Sequence, residues 1–469
     1  MVKKILLILT VVVMLLPFAS CGAKPALADY VVTYGAGEKK AAELLVEKIK
    51  EKTGIALELV AENTVNSDLV ISVNADEVGN FEGNLGYDDF TVYTEGKGLH
   101  IVGGSDYATN TAVTRLVKLM SANPDEFDVA KLSLSYALPS REEYIQNPEK
   151  LALHWESDFE TPSWMLDFEE KYRAMTDVDG RLISCLHRGE AVYYPENSIE
   201  GIISAIYMGG DMIEIDPRLT KDGVFVLMHD ETLGRTTDVY SKVGKNGLPS
   251  TVNISDWTYE QLMQLNLKDA SGDVTPYKIP TLEEAIKVSA NRIFIRLDVK
   301  GPTGSDLPFW DFEKDIWPLL EKYNCHSTVL YTWQKFFRAD SFKLVKKYRD
   351  LSEKASGKAM LGFLNNKTTA DDALKVIENH DLAYAMRLSF NLSEFGYNTF
   401  LSENKDRLDG FKGKIRIYAD VHNTNPKYPQ NKESYELYET LYNAGINVQL
   451  ADKSILICKY VAENFTATK

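Results

Sequence analysis

Residues 182–216 read LISCLHRGEAVYYPENSIEGIISAIYMGGDMIEID, and this stretch decides the fold class. Two apolar segments, Leu182–Leu186 and Met212–Asp216, have the length of buried strands. Between them, Ser198–Met208 has apolar residues at helical spacing. A strand, a helix and a second strand in this order predict a βαβ unit with two parallel strands.

The same alternation continues to the end of the chain. Helical patterns such as Thr281–Ser289 and Lys432–Ala444 lie between six further candidate strands, which are Ile293–Val299, Thr328–Thr332, Ala359–Leu364, Ala383–Leu388, Lys414–Ala419 and Asn447–Ala451. Eight strands that alternate with helices predict an α/β fold of the (β/α)8 TIM-barrel type over residues 181–469.

The region before the barrel has a different pattern. Residues 29–138 contain two helical patterns, Glu38–Lys52 and Tyr107–Met120, among short candidate strands, and this mixture predicts a small α/β N-terminal domain. Residues 139–180 form a connector rich in acidic and aromatic residues. Because aromatic side chains favour burial, we interpret the connector as a packed segment rather than a free linker.

The composition limits the class of protein. The chain has 469 residues, of which 44% are hydrophobic and 26% are charged, as in soluble globular proteins. The formal charge of −16 argues against nucleic-acid partners, which require a dense basic surface. Four cysteines lie far apart without zinc-ligand spacing, and we interpret Cys185, Cys325 and Cys458 as buried free thiols, with a disulfide among them as the alternative.

The N-terminus reads as a targeting segment. Two lysines precede an apolar run from Ile5 to Leu16, and small residues lead to Cys21, which is typical of a secretory signal over residues 1–20. The ending Phe-Ala-Ser-Cys resembles a bacterial lipobox, which implies diacylation of Cys21. Residues 21–28 would be a tether, and the protein would be exported and lipid-anchored to the bacterial cell membrane. An ordinary signal peptide with an incidental cysteine is the alternative.

Polar residues occur at the carboxyl ends of the first barrel strands. In such barrels the chemistry lies at this face. The residues found there are His187 and Arg188 at the end of the first strand, Glu214 and Asp216 at the end of the second, and Asp298 and Lys300 at the end of the third, while His229 follows an apolar run just past the second strand. We therefore expect all seven side chains to meet at one rim of the barrel.

Three of these residues form a candidate metal site. Glu214 and Asp216 are two residues apart, so their side chains point to the same face of a strand. With Asp298 from the adjacent strand they offer three hard oxygen donors, which suit one Ca²⁺ or Mg²⁺ ion. The alternative is an ion pair between one of these carboxylates and Arg188 or Arg218.

The other four residues fit acid/base chemistry on an anion. His187 and His229 can exchange protons near neutral pH. Arg188 and Lys300 can neutralise phosphate oxygens. Cations beside a divalent-metal site point to phosphoryl transfer.

Ordered motifs carry a resemblance to a known family. They are Leu186-His187-Arg188-Gly189, Pro195-Glu196-Asn197-Ser198, Glu214-Ile215-Asp216, Leu219-Thr220-Lys221-Asp222-Gly223, Met228-His229-Asp230-Glu231-Thr232-Leu233, Arg235-Thr236-Thr237 and Ile279-Pro280-Thr281-Leu282-Glu283-Glu284. In this order they resemble the glycerophosphodiester phosphodiesterase family. The resemblance covers about Leu182 to the C-terminus and is dense up to Glu284.

The resemblance implies a metal-dependent barrel enzyme that cleaves glycerophosphodiesters to glycerol 3-phosphate and an alcohol through a cyclic phosphate. It implies that His187 and His229 are the acid/base pair and that Arg188 and Lys300 contact the phosphate. Glu214, Asp216 and Asp298 would hold the metal. The partner would be a small glycerophosphodiester or a cell-envelope polymer fragment.

Some positions depart from the family pattern. Asp298 stands where Glu is usual, and because its side chain is one methylene shorter, the metal is expected to shift, to gain a water or to bind more weakly. Glu190 stands where a small residue is usual and is expected to place a negative charge near the anion site. Two alternatives therefore stay open: a catalytically weakened binding lipoprotein on this fold, and a phospholipase-D-like enzyme that acts on lipid phosphodiesters. A glycoside hydrolase fits poorly, because such enzymes need paired carboxylates that flank a sugar.

Overall fold

The computed structural model describes most of the chain. The described residues are 24–35, 37–61, 67–73, 85–153, 160–298, 300, 311–333, 339–364, 390–391, 397–421 and 432–468. The predicted signal segment, Cys21 and the predicted strand Ala383–Leu388 lie outside these ranges. Among the described helices, none has both the length and the apolar character needed to cross a membrane.

The chain divides into two compact units. One contains Met1–Phe81, Thr91–Val102 and Leu116–Leu134, and the other contains Glu82–Phe90, Gly103–Arg115 and Ser135–Lys469. The predicted boundaries at residues 29, 138 and 180 stay predictions.

A six-stranded sheet precedes the barrel. Its strands are β1 (Val31–Tyr34), β2 (Glu58–Ala61), β3 (Val70–Val73), β4 (Phe90–Glu95), β5 (Gly98–Gly103) and β6 (Leu134–Tyr136), in the order β2-β1-β3-β5-β4-β6. The helices α1 (Lys39–Thr53) and α2 (Asp106–Leu119) lie within one residue of their predicted bounds. Helix α1 ends where Gly54 takes a left-handed conformation, at φ 77°, which glycine adopts without steric cost. The predicted α/β pattern of this region is confirmed.

The connector contains three short helices, α3 (Arg141–Gln146), α4 (Ser163–Leu166) and α5 (Phe168–Thr176). Trp164 packs against the main hydrophobic core, and the ring of Phe168 lies 5.0 Å from that of Phe294 in the barrel. The described part of the connector therefore packs on the core through these side chains, in contrast to a free linker.

Eight parallel strands form the second sheet, and an antiparallel hairpin interrupts their sequence. The strands from here to the C-terminus are β7 (Ile183–His187), β8 (Met212–Ile215), β9 (Pro217–Leu219), β10 (Phe225–Leu227), β11 (Phe294–Leu297), β12 (Val329–Trp333), β13 (Gly362–Leu364), β14 (Phe390–Asn391), β15 (Tyr418–Asp420) and β16 (Val448–Ala451). Strands β9 and β10 form the hairpin, and the order of the other eight is β13-β12-β11-β8-β7-β16-β15-β14.

The pairing of the last strand with the first identifies the barrel topology. Strand β16 pairs in parallel with β7, with Val448 opposite Ile183 and Leu450 opposite Cys185. An open doubly wound sheet does not join its first and last strands in this way, whereas a (β/α)8 barrel requires it. The predicted TIM-barrel fold is therefore confirmed, with β13 and β14 as the outer strands of the described sheet.

Helices follow the barrel strands and cover the sheet. They are α6 (Ile199–Tyr207), α7 (Tyr259–Leu262), α8 (Leu282–Ser289), α9 (Trp317–Lys322), α10 (Ala339–Ser356), α11 (Tyr397–Glu403), α12 (Lys405–Phe411), α13 (Tyr435–Asn443) and α14 (Ser454–Asn464). Side chains start two of them: Ser198 accepts a hydrogen bond from the N–H of Gly201, and Thr281 forms a capping box with Glu284. The apolar faces of α6 and α8 pack in the main core, together with Cys325 and Cys458. Cys185, Cys325 and Cys458 are buried free thiols, as predicted.

Candidate active site

One cavity of about 790 Å³ contains all seven predicted site residues. They lie at the carboxyl ends of β7, β8 and β11 and just after β10, as the strand-end rule predicts. The side chains that line it are His187, Arg188, Ala191, Val192, Glu196, Glu214, Asp216, His229, Ala270, Arg296, Asp298, Lys300, Asp420, Leu450 and Asp452.

The three predicted metal ligands converge in this cavity. Strand β8 ends with Glu214 and Ile215, and the N–H of Asp298 donates to the Ile215 carbonyl at 2.9 Å, which holds the end of β11 beside β8. Oxygen atoms of Glu214, Asp216 and Asp298 all lie within 4.8 Å of one another. Glu214 and Asp216 are buried, while Asp298 is partly exposed.

The charge balance of this triad favours a cation. Burial and the neighbouring charge of Asp216 raise the pKa of Glu214 to about 7, against a smaller opposite effect of His187. The Oε2 atom of Glu214 is buried and accepts no hydrogen bond from the described residues. A divalent ion would supply the missing positive charge, and three carboxylates are ligands that Ca²⁺ and Mg²⁺ accept.

Two neighbours fix Asp216. The amide of Asn197 donates to Asp216 Oδ2 at 2.8 Å, while its carbonyl oxygen accepts the N–H of Asp216 at 3.1 Å. Asn197 makes both bonds from the left-handed conformation, at φ 60°, which asparagine adopts more readily than most residues. The Nζ atom of Lys300 lies 3.1 Å from Asp216 Oδ1 and 2.8 Å from Asp298 Oδ2. Lys300 therefore lies directly beside the triad.

The alternative interpretation, an ion pair between one of these carboxylates and Arg188 or Arg218, is correct in part. Arg188 Nε lies 3.5 Å from Asp216 Oδ2, so Arg188 contributes to the charge balance of that carboxylate. Arg218 instead donates to the backbone carbonyls of Met228 and His229, at 3.1 and 3.0 Å. Arg218 thereby holds the segment that carries His229.

A carboxylate on the last strand orients His187. Asp452, at the end of β16, lies 2.7 Å from His187 Nδ1, and Glu214 Oε2 lies 3.9 Å from His187 Nε2. Burial lowers the pKa of His187, but the hydrogen bond to Asp452 and the charge of Glu214 raise it, and the net shift is upward. Asp452 was not among the predicted site residues, although the strand-end rule applies to β16 as it does to β7.

His229 has a carboxylate partner of its own. It follows β10, and its Nδ1 atom lies 2.7 Å from Asp230 Oδ1. Both histidines thus bind a carboxylate through Nδ1, which leaves Nε2 as the atom for proton exchange with a substrate.

The expectation for Glu190 was wrong. Its carboxylate is fully buried and accepts the N–H groups of Val192 and Tyr193, at 2.8 and 3.0 Å. Glu190 does not line the cavity. A carboxylate at this position has backbone donors within its own loop, so it turns inward instead of facing an anion.

Burial raises the pKa of Glu190 to about 7 from its ordinary value of 4.5. Because the folded-state pKa lies above the unfolded one, the folded protein holds this proton more tightly, and stability falls as the pH rises from about 4.5 to 7. At pH 8 we expect Glu190→Gln to be more stable than the wild type by up to about 3 kcal/mol and to have a higher Tm. At pH 5 we expect no such difference. Thermal unfolding at both pH values measures this, and an equal difference at both would contradict the assignment.

The remaining polar residues of the cavity carried weaker sequence signals. Arg296 is buried within β11, where it donates to the Tyr418 hydroxyl and lies over that ring. Asp420 ends β15. Glu196 lies in the motif Pro195-Glu196-Asn197-Ser198, which is not at the end of a predicted strand, so the strand-end rule did not place it in the cavity.

Comparisons with known proteins agree with these motifs. Residues 187–405 match the Glycerophosphoryl diester phosphodiesterase family. Glycerophosphodiester phosphodiesterase 1 of Homo sapiens is 37% identical over 125 residues, which are 26% of this chain and 34% of that protein. The glycerophosphodiester phosphodiesterase of Caldanaerobacter subterraneus is 30% identical over 145 residues, which are 31% of this chain and 54% of that protein. The matched regions span between 34% and 63% of the length of such curated relatives.

Solved structures of similar proteins include two bacterial ones. A glycerophosphoryl diester phosphodiesterase from Parabacteroides distasonis has 23% identity and a TM-score of 0.44, over 63% of this chain and 93% of that chain. An Oleispira antarctica phosphodiesterase in complex with the product sn-glycerol-3-phosphate has 22% identity and a TM-score of 0.40, over 60% of this chain and 97% of that chain. Residues 187–405 of this protein are a domain of the glycerophosphoryl diester phosphodiesterase family.

Proposed function

We propose that this protein hydrolyses glycerophosphodiesters to glycerol 3-phosphate and an alcohol, and that the reaction depends on one divalent metal ion. The observation that carries the proposal is the convergence of two histidines, three carboxylates and two cations in one cavity of the family domain. Phosphorus NMR tests the proposal by identifying the product. Linear glycerol phosphate would support hydrolysis. A cyclic phosphate that accumulates without ring opening would instead indicate a phospholipase-D-like transferase.

Glu214, Asp216 and Asp298 would hold the ion, which supplies positive charge to the phosphodiester as negative charge develops on it. The residue types agree with this role, since hard divalent ions prefer carboxylate oxygens. Arg188 and Lys300, which lie beside the triad, would bind the phosphate oxygens that do not contact the ion.

The two histidines would move the protons. One histidine accepts the proton of the glycerol 2-hydroxyl as that oxygen bonds to phosphorus, and the other donates a proton to the alcohol oxygen as its bond to phosphorus breaks. The product of this step is a cyclic phosphate and the free alcohol. Water then opens the ring, with the proton transfers reversed, and yields glycerol phosphate. Asp452 and Asp230 keep the rings in the tautomer that this exchange needs.

Asp298→Glu tests the third ligand. The longer side chain of Glu reaches one methylene further, so we expect a several-fold lower concentration of Mg²⁺ or Ca²⁺ for half-maximal activity. Asp298→Asn should raise that concentration, because it removes a charge from the triad. Metal titrations of activity in both variants measure the effect, and equal metal requirements in wild type and Asp298→Asn would exclude Asp298 as a ligand.

We also propose that the mature protein is anchored through lipid on Cys21, with residues 1–20 removed. The apolar run and the Phe-Ala-Ser-Cys sequence support this proposal. Expression in bacteria with labelled palmitate should label the wild type, whereas Cys21→Ser should remain unlabelled and leave the membrane fraction. Label on Cys21→Ser would contradict the proposal.

A further inference from the structure

Arg235 bridges two carboxylates at the edge of the active site. Its Nη1 and Nη2 atoms lie 2.7 and 2.8 Å from the two oxygens of Glu196. Its Nε and Nη2 atoms lie 2.6 and 3.0 Å from the two oxygens of Asp230. One guanidinium thus makes two bidentate ion pairs, although Arg235 itself does not line the cavity.

Each of these carboxylates also holds a residue of the site. Glu196 accepts from Arg188 Nη1 at 3.0 and 3.1 Å. Asp230 lies 2.7 Å from His229 Nδ1. An unbroken series of polar contacts therefore leads from Arg188 through Glu196, Arg235 and Asp230 to His229.

We propose that Arg235 is a positioning residue that couples Arg188 to His229, so that the phosphate-binding cation and the acid/base histidine keep a fixed separation. The inference rests on the proposed function, in which Arg188 and His229 act on the same phosphodiester. The coupling matters because Arg188 follows β7 and His229 follows the β9–β10 hairpin, two elements that are not paired in the described sheets.

The geometry requires a guanidinium. Only the planar fork of arginine presents five N–H donors that can face two carboxylates at once, whereas a lysine offers one point charge. Burial raises the pKa of Glu196, but the hydrogen bonds from Arg235 and the charges of both arginines lower it, and the net shift is downward. The hydrogen bond from Arg235 lowers the pKa of Asp230. Both carboxylates therefore stay ionised and continue to bind Arg188 and His229.

The same contacts make a modest contribution to folding. The side chain of Arg235 is 49% exposed, and an exposed ion pair contributes about 0–1 kcal/mol to stability, with bidentate pairs toward the upper end. Removing Arg235 should therefore lower the Tm only modestly, while it loosens the alignment of Arg188 and His229. This separation of effects makes a kinetic test possible.

Arg235→Gln and Arg235→Lys test the inference in the full-length chain. We expect both to lower kcat/KM for a glycerophosphodiester by about 10- to 100-fold, mostly through kcat. A displacement of a catalytic group by about 1 Å lowers the rate by a factor of this size. Arg173→Gln is the matched control, since Arg173 is similarly exposed and pairs with Glu170 away from the cavity. That variant should retain wild-type kinetics.

Chemical rescue gives a readout that a purely structural role would not. In Arg235→Gly, added guanidinium chloride at low, non-denaturing concentration should restore part of the lost kcat, while ammonium chloride at equal ionic strength should not. A double variant of Arg235→Gln with Asp230→Asn should be no slower than the slower single variant, because both remove the same link. Wild-type kcat/KM in Arg235→Gln, or additive losses in the double variant, would overturn the inference. Absence of turnover in the wild type would instead refute the proposed function.

Discussion

We expect Glu214→Gln to lower kcat for glycerophosphodiester hydrolysis by about 10³-fold or more and to remove measurable binding of Mg²⁺ and Ca²⁺. The reason is the position of Glu214, which is buried at the end of β8 with an Oε2 atom that accepts no hydrogen bond from the described residues. Glutamine keeps the size of the side chain but removes the negative charge that faces the ion. Isothermal titration calorimetry and steady-state kinetics measure the two effects.

Glu260→Gln is the control for this variant, because Glu260 lies exposed on α7 and away from the cavity. It should bind metal and turn over like the wild type. If Glu214→Gln binds metal with unchanged affinity, the assignment of the triad is wrong.

We expect His187→Asn and His229→Asn each to lower kcat by about 10²- to 10⁴-fold at saturating metal. Asparagine retains a hydrogen-bonding group for Asp452 or Asp230 but cannot exchange a proton near neutral pH. Steady-state kinetics at several metal concentrations separates this loss from a loss of metal. Because His187 Nε2 lies 3.9 Å from Glu214, the His187 variant should also show a change in metal affinity, whereas the His229 variant should not.

Asp452→Asn provides the matched comparison. It leaves the His187 ring in place but weakens the hydrogen bond at Nδ1, so its loss in kcat should be smaller than that of His187→Asn. Full activity in His187→Asn, with the metal site intact, would contradict an acid/base role for this histidine.

The positions of the site residues followed from simple rules. Strand length and alternation predicted the barrel, and the carboxyl ends of its strands predicted where His187, Glu214 and Asp298 meet. These rules succeeded because the period of a strand fixes which side chains share a face. Two of the side chains that support the site, Asp452 and Arg235, were not predicted, because each has a partner that is distant along the chain.

Asp452 and Arg235 show why. Asp452 lies 265 positions after His187 in the sequence, and only the pairing of β16 with β7 brings them together. Arg235 reaches Glu196 because a loop folds back by a path that no local pattern specifies. The prediction for Glu190 was wrong because it considered only the charge of this side chain. Hydrogen bonds from nearby backbone N–H groups hold the carboxylate inside its own loop.

The most direct test is release of glycerol 3-phosphate from a panel of glycerophosphodiesters, wall-teichoic fragments included, by the purified protein. Metal-dependent hydrolysis predicts release with Mg²⁺ or Ca²⁺, none with excess EDTA, and recovery when the metal is restored. Tight binding of these diesters by calorimetry without release of glycerol phosphate, with either ion, would contradict it and identify a binding protein on an enzyme fold.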